Sequence, residues 1–135
     1  MKKIIFILFF SVFLMNPVLA KTKIEVLKVY DGDSILAKIE NNIFRIRLID
    51  IDCYEGASGK RAKWQARKYK ISELQVVENG NKAGNILKQK LESKSIYFEF
   101  RGIDKYNRAL GYVYADTRNI NNEMLKTGYC FKYIK

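Results

Sequence analysis

The stretch Val29-Tyr30-Asp31-Gly32-Asp33-Ser34 sets two carboxylates on either side of a glycine, at the joint between two alternating segments, KIEVLKVY (residues 23–30) and SILAKIE (34–40). An Asp-Gly pair between alternating runs is a strong hairpin signal, because both residues tolerate the backbone angles that a two-residue turn demands. Such a hairpin needs only Asp31 and Gly32. Asp33 is then either one more polar turn residue or half of a metal site whose other half lies further along the chain.

Working outward, a third strand is expected over Ile43–Ile49 after a turn at Asn41-Asn42, with Phe44, Ile46 and Leu48 on one face and Arg45 and Arg47 on the other. From Gly56 to Ser93 the composition shifts to helix formers, AKWQARKYKISELQVV (62–77) and NKAGNILKQKLES (81–93), parted by Glu78-Asn79-Gly80. SIYFEF (95–100) and ALGYVYA (109–115) read as two more strands, and NNEMLKTG (121–128) as a short helix closed by Gly128. Five strands, with helices inserted after the third and after the fifth, predict an α+β fold: a five-stranded Greek-key β-barrel of the OB type.

The first twenty residues carry two lysines, an apolar run and a Val18-Leu19-Ala20 end, the pattern of a cleaved export signal. The apolar core from Ile4 to Met15 is short for a bilayer span, which takes about 20 residues. Residues 1–20 are therefore expected to be a signal peptide and 21–135 a single domain, exported to the periplasm or medium and not held in a membrane. Without Lys2 and Lys3 the domain has 23 Lys+Arg against 14 Asp+Glu, a net charge of +9. Polyanions such as nucleic acid or anionic lipid suit that charge, as does a plain solvated surface.

Histidine is absent altogether. That excludes triad hydrolases, paired-histidine ribonucleases and histidine-ligated zinc, and two cysteines cannot complete a zinc site. An enzyme built on this chain must use carboxylate, Lys, Tyr or water for proton transfer and a hard cation held by oxygen. Partners for Asp33 then stand out: RIRLIDIDCYE (45–55) holds Arg47, Asp52 and Glu55, and DKYNR (104–108) ends on Arg108. Each reads singly as a loop or surface charge. Together they supply what metal-assisted phosphodiester cleavage needs: oxygen ligands, a group to activate water, and planar guanidinium forks for the phosphate.

VYDGDS, RIRLIDIDCYE and DKYNRALGYVYA, in that order, resemble the thermonuclease (staphylococcal nuclease) family over about residues 23–133. The resemblance implies a Ca²⁺-dependent OB-fold nuclease that cleaves DNA and RNA to 3′-phosphates, with no stable protein partner and a monomeric state. It implies metal ligation by the carboxylates of Asp33 and Asp52 and the backbone carbonyl of Cys53, with Asp31 holding a water on the ion. Glu55 falls at the general base, Arg47 and Arg108 at the phosphate-gripping arginines, and Tyr106 and Lys105 beside the nucleotide.

Departures from the family pattern accompany the match. Cys53 stands where Thr is usual, and Tyr54 replaces a proline, which removes a φ restraint from the loop carrying Glu55. Asn107 replaces a glycine before Arg108. The segment between Glu55 and SIYFEF is long, and no C-terminal helix follows before Lys135, a difference bearing on stability and not on chemistry. KRAKWQARKYK (60–70) offers cations and rings for a substrate-binding lid, although Trp64 is expected to turn into the core of an amphipathic helix. Cys53 and Cys130, an even pair in an exported chain, are expected to form a disulfide. Two other functions compete: a nucleic-acid-binding OB module without catalysis, and a cationic envelope protein with a structural Ca²⁺ site.

Overall fold

The structure, a computed structural model, describes residues 20–134. The expected signal peptide falls almost wholly outside the described residues. Strand β1 (Lys21–Asp31) pairs antiparallel with β2 (Ser34–Ile39), and β2 with β3 (Asn42–Leu48). The short β4 (Ile51–Cys53) leads to helices α1 (Lys60–Tyr69) and α2 (Glu73–Leu91). Strands β5 (Ile96–Ile103), β6 (Ala109–Ala115) and β7 (Arg118–Asn119), helix α3 (Ile120–Leu125) and strand β8 (Cys130–Lys132) follow.

The order β3-β2-β1-β5-β6 closes on itself because β3 also runs parallel to β6, with Ile46 opposite Ala109 and Leu48 opposite Gly111. Closure removes the open edges that a flat sheet would present. Register shifts between Val26 and Lys28, between Val29 and Asp31, and between Phe100 and Gly102 bend β1 and β5 into the required curve. Alternation then does the rest: Ile35, Ala37, Ile46, Leu48 and Val113 point inward and are fully buried, joined by Leu87 of α2 and Ile120 and Met124 of α3. The five-stranded OB-type barrel with three helices is as expected; β4, β7 and β8 are short additions to it.

Three local expectations are corrected. The first hairpin turns on Gly32 and Asp33, not on Asp31 and Gly32, since Asp31 pairs with Ser34 across the ladder. Asp31 instead closes the turn by its side chain, its Oδ1 accepting the Asp33 N–H at 3.1 Å. Glycine is required at 32 for space: a Cβ there would stand 2.8 Å from both Ala83 Cβ and Cys53 Sγ. The second hairpin turns on Glu40 and Asn41, one residue before the expected pair, with Glu40 at φ 53°.

The third correction concerns the helices. The break lies at Lys70–Ser72, where Lys70 takes a left-handed conformation and Ile71 N–H bonds back to Ala66 O, and not at Glu78-Asn79-Gly80. Ser72 caps α2 by accepting the Gln75 N–H, and α2 runs unbroken through Gly80. Gly80 is where α2 rests on the backbone of Glu55, at a distance that leaves no room for a side chain. Among the described residues no helix is long and apolar enough to cross a membrane.

Candidate active site

Four chain segments meet at one end of the barrel because strand register brings them there. Ser34 pairs with Arg47, so the turn holding Asp31 and Asp33 abuts the end of β3. Buried Asn121 of α3 accepts from Val113 N–H and donates to Ile49 O and Gly111 O, which ties the β3–β4 connection to β6. β4 is then held by β8, with Asp52 opposite Phe131 and Cys53 opposite Cys130. A disulfide joins that last pair, their Cα atoms 3.9 Å apart and 77 residues distant in sequence.

Asp31, Asp33, Arg47, Asp52, Glu55 and Arg108 line one open cavity of about 900 Å³, with Lys105 and Tyr106 at its rim. Arg47 spans the two inner carboxylates: Nη1 lies 3.2 Å from Asp33 Oδ2 and Nη2 3.4 Å from Asp52 Oδ1. Asp33 Oδ2 also accepts the Cys53 N–H at 2.7 Å, so the first hairpin is pinned to β4. Burial pushes the Asp33 carboxyl well above the usual carboxylate range; Arg47 opposes the shift and the neighbouring Asp31 adds to it. Glu55 is raised too, by burial first and then by the charges of Asp31 and Asp52, against Arg61.

Arg108 stands just before β6, whose Ala109 pairs with Ile46 of β3. Asp104 holds it, with Oδ2 accepting from Nε at 2.8 Å and Nη2 at 2.8 Å while Oδ1 accepts the backbone N–H groups of Tyr106 and Arg108. Those bonds hold the Asp104 carboxyl below its ordinary range despite partial burial. Asn107, at φ 60°, makes the left-handed turn that lets the chain double back. Tyr106 is exposed at the mouth, with Lys105 and Arg108 both close to its ring.

Sequence reasoning missed three of the residues that shape this cavity. Arg61 of α1, read only as part of a basic stretch, places Nη2 2.6 Å from Asp52 Oδ2 and Nε 3.4 Å from Glu55 Oε1. Gln65, one helical turn on, is fully buried against the loop between Asp52 and Gly56. Asp104 was visible as an acid four residues before Arg108 in a turn, a spacing that allows the pairing but does not demand it. Trp64 is corrected as well: it is 39% exposed, its ring flanked by Arg61 and Lys68, because the buried face of α1 is made by Ala62 and Gln65.

The donor set fits a hard divalent cation. Asp33 and Asp52 are both buried, carboxylates crowd one another here, and every available ligand atom is oxygen. Among the described residues no three His, Cys, Asp or Glu side chains stand at ligating distance from one point, so two carboxylates need a backbone carbonyl and water to complete a shell. Cys53 is not among the residues that line the cavity, and its carbonyl accepts from the buried Gln65 Nε2 at 2.9 Å, which leaves one lone pair of that oxygen uncommitted.

Comparison with known proteins agrees with this geometry. The family model described as staphylococcal nuclease homologue matches residues 45–135, from the third strand to the end of the chain. The chain belongs to the staphylococcal nuclease family. Curated relatives include the micrococcal nuclease of Shigella flexneri, 29% identical over 129 residues that cover 87% of this chain and 62% of the relative. An uncharacterized endonuclease of Haemophilus influenzae is 30% identical over 114 residues, 84% of this chain and 53% of the relative. An uncharacterized protein of Methanocaldococcus jannaschii is 27% identical over 121 residues, 82% and 58%. The chain thus spans little more than half the length of these curated relatives.

Proposed function

We propose that the protein is an exported nuclease that hydrolyses phosphodiester bonds in DNA and RNA with Ca²⁺, leaving 3′-phosphate ends. The observation that carries the reading is the convergence of Asp33 from the first hairpin, Arg47, Asp52 and Glu55 from the stretch 45–55, and Arg108 from the turn before β6 on one cavity. The names of the Shigella and Haemophilus relatives support it. Export rests on the lysine-led apolar run and the Val18-Leu19-Ala20 end.

In this mechanism Asp33, Asp52 and the Cys53 carbonyl would hold the ion, and Asp31 would orient a water beside it. When bound, Ca²⁺ supplies Lewis-acid stabilisation of the phosphate and acidifies nearby water. Glu55 accepts the proton of the attacking water, a task that its raised pKa suits because the base then takes up a proton more readily. Arg47 and Arg108, from the paired strands β3 and β6, grip the non-bridging oxygens and take up the charge that grows on them as the P–O5′ bond breaks. Lys105 and Tyr106 would steady the adjoining nucleotide.

A gel containing DNA or RNA, developed with Ca²⁺, with Mg²⁺ alone and with chelator, tests the reading. Clearing with Ca²⁺ only is the expected result, since few carboxylates and a carbonyl suit the larger ion. Undiminished clearing in excess calcium chelator would refute the metal dependence. Binding without clearing would return the protein to the class of non-catalytic OB modules.

A further inference from the structure

The loop that carries Glu55 lacks the stiffening of a proline, yet it is held at both ends of residue 54 by one side chain. Gln65 of α1 donates from Nε2 to Cys53 O at 2.9 Å and accepts the Glu55 N–H at Oε1, also at 2.9 Å. The amide is fully buried, so neither bond is exchanged with water. Both of its polar ends are used on the backbone that flanks Tyr54, and nothing else in the barrel ladder depends on them. Tyr54 itself is anchored in a small aromatic cluster with Tyr69 and Phe131, which fixes the loop's distance from α1 but not the rotation of the peptide units on either side.

From these contacts we infer that Gln65 is the positioning residue for Glu55, and that α1, an element outside the barrel, sets the aim of the base. Glu55 N–H is fixed in direction by Gln65, and its carboxylate is met from the same helix by Arg61, four residues earlier. A buried glutamine that joins a backbone acceptor at 53 to a backbone donor at 55 locks the ψ of residue 53 and the φ of residue 55 together. That restraint matters for chemistry, because a base displaced by about 1 Å loses its line to the attacking water and can cost about 10²-fold in rate. The inference rests on Glu55 acting as the base of the proposed reaction.

The test compares Gln65→Met, which keeps length and removes both hydrogen bonds, with Leu91→Ala, a core truncation at the far end of α2. Hydrogen exchange at the Glu55 amide, measured without metal or substrate, reads the clamp directly: its protection is expected to be lost in Gln65→Met and kept in Leu91→Ala. With Ca²⁺ and DNA, kcat of Gln65→Met should fall about 10- to 100-fold at a KM within about twofold of the parent, well beyond the loss in Leu91→Ala at a similar Tm. If Gln65→Met does not fold, Gln65→Asn, which keeps the amide but is one methylene too short to bridge Cys53 O and Glu55 N–H, should show the same loss of Glu55 protection and the same fall in kcat. Unchanged Glu55 exchange, or a kcat no lower than that of Leu91→Ala, overturns the inference. An inactive parent protein would instead sink the proposed reaction and leave the exchange result to judge the clamp.

Discussion

Asp33 bears the electrostatic strain of the site, since it is buried, next to Asp31, and offset by one guanidinium and one backbone N–H. A carboxyl whose folded pKa is raised is bound to more protons in the native state than in the unfolded one, so stability present at low pH is lost as pH rises through the folded value. Asp33 and Glu55 both shift this way, and their window opens at the ordinary carboxylate range, 3.8 and 4.5, and extends upward. In chelator, Tm is therefore expected to decline as pH is raised above about 5. Asp33→Asn should flatten that decline while abolishing activity, and a pH-independent Tm in the parent would count against it. Catalysis gives a separate test: Arg47→Ala, Arg108→Ala and Glu55→Ala should each lower kcat by roughly 10²-fold or more. Asp31→Asn should cost less than Asp33→Asn, because Asp31 is assigned a water and Asp33 the ion; steady-state kinetics giving the reverse order would exchange those roles.

Among the elements, α2 shows how packing overrules local preference. Glu78-Asn79-Gly80 looks like a helix break because glycine and asparagine weaken helices, yet the helix continues, since only a residue without a side chain lets α2 lie on the Glu55–Gly56 backbone. Gly80→Ala in an isolated helix would stabilise it by about 1 kcal/mol. Here the new Cβ would stand 2.2 Å from Glu55 O. Lower Tm and lower kcat are expected together, measured by melting and by initial rates; a stabilised, fully active Gly80→Ala protein would mean that the loop gives way freely. The real break at Lys70–Ser72 was less legible, because a left-handed lysine carries no compositional mark. Alternation over β2, β3 and β6 was readable for the opposite reason: a strand with one buried face must repeat every two residues wherever it sits.

At the scale of the whole molecule, 23 Lys+Arg against 14 Asp+Glu make a cation of residues 21–135, while Asp33 and Asp52 lie buried in the candidate cavity. In the proposed reaction the surface charge would draw the polyanion and the buried carboxylates would hold the ion. KM for DNA should rise about tenfold or more between roughly 50 and 200 mM salt, the response expected of at least two displaced phosphate contacts. Kinetics over that range with free Ca²⁺ held constant would check it, and a flat KM would mean that the charge is a solvated surface only. By itself the sequence determined the barrel, through strand periodicity, and pointed to the proposed chemistry, through the absence of histidine and the spacing of VYDGDS, RIRLIDIDCYE and DKYNR. Those features are local in the chain and survive being read one segment at a time. The tertiary structure alone decided that Asp33 sits in the turn, that Gly80 stays helical, that Trp64 faces outward, and that Arg61 and Gln65 reach the loop of Glu55. Each of these depends on which distant backbone or side chain comes within about 3 Å, the range at which hydrogen bonds and steric exclusion act, and that is set by closure of the barrel and not by neighbours in sequence.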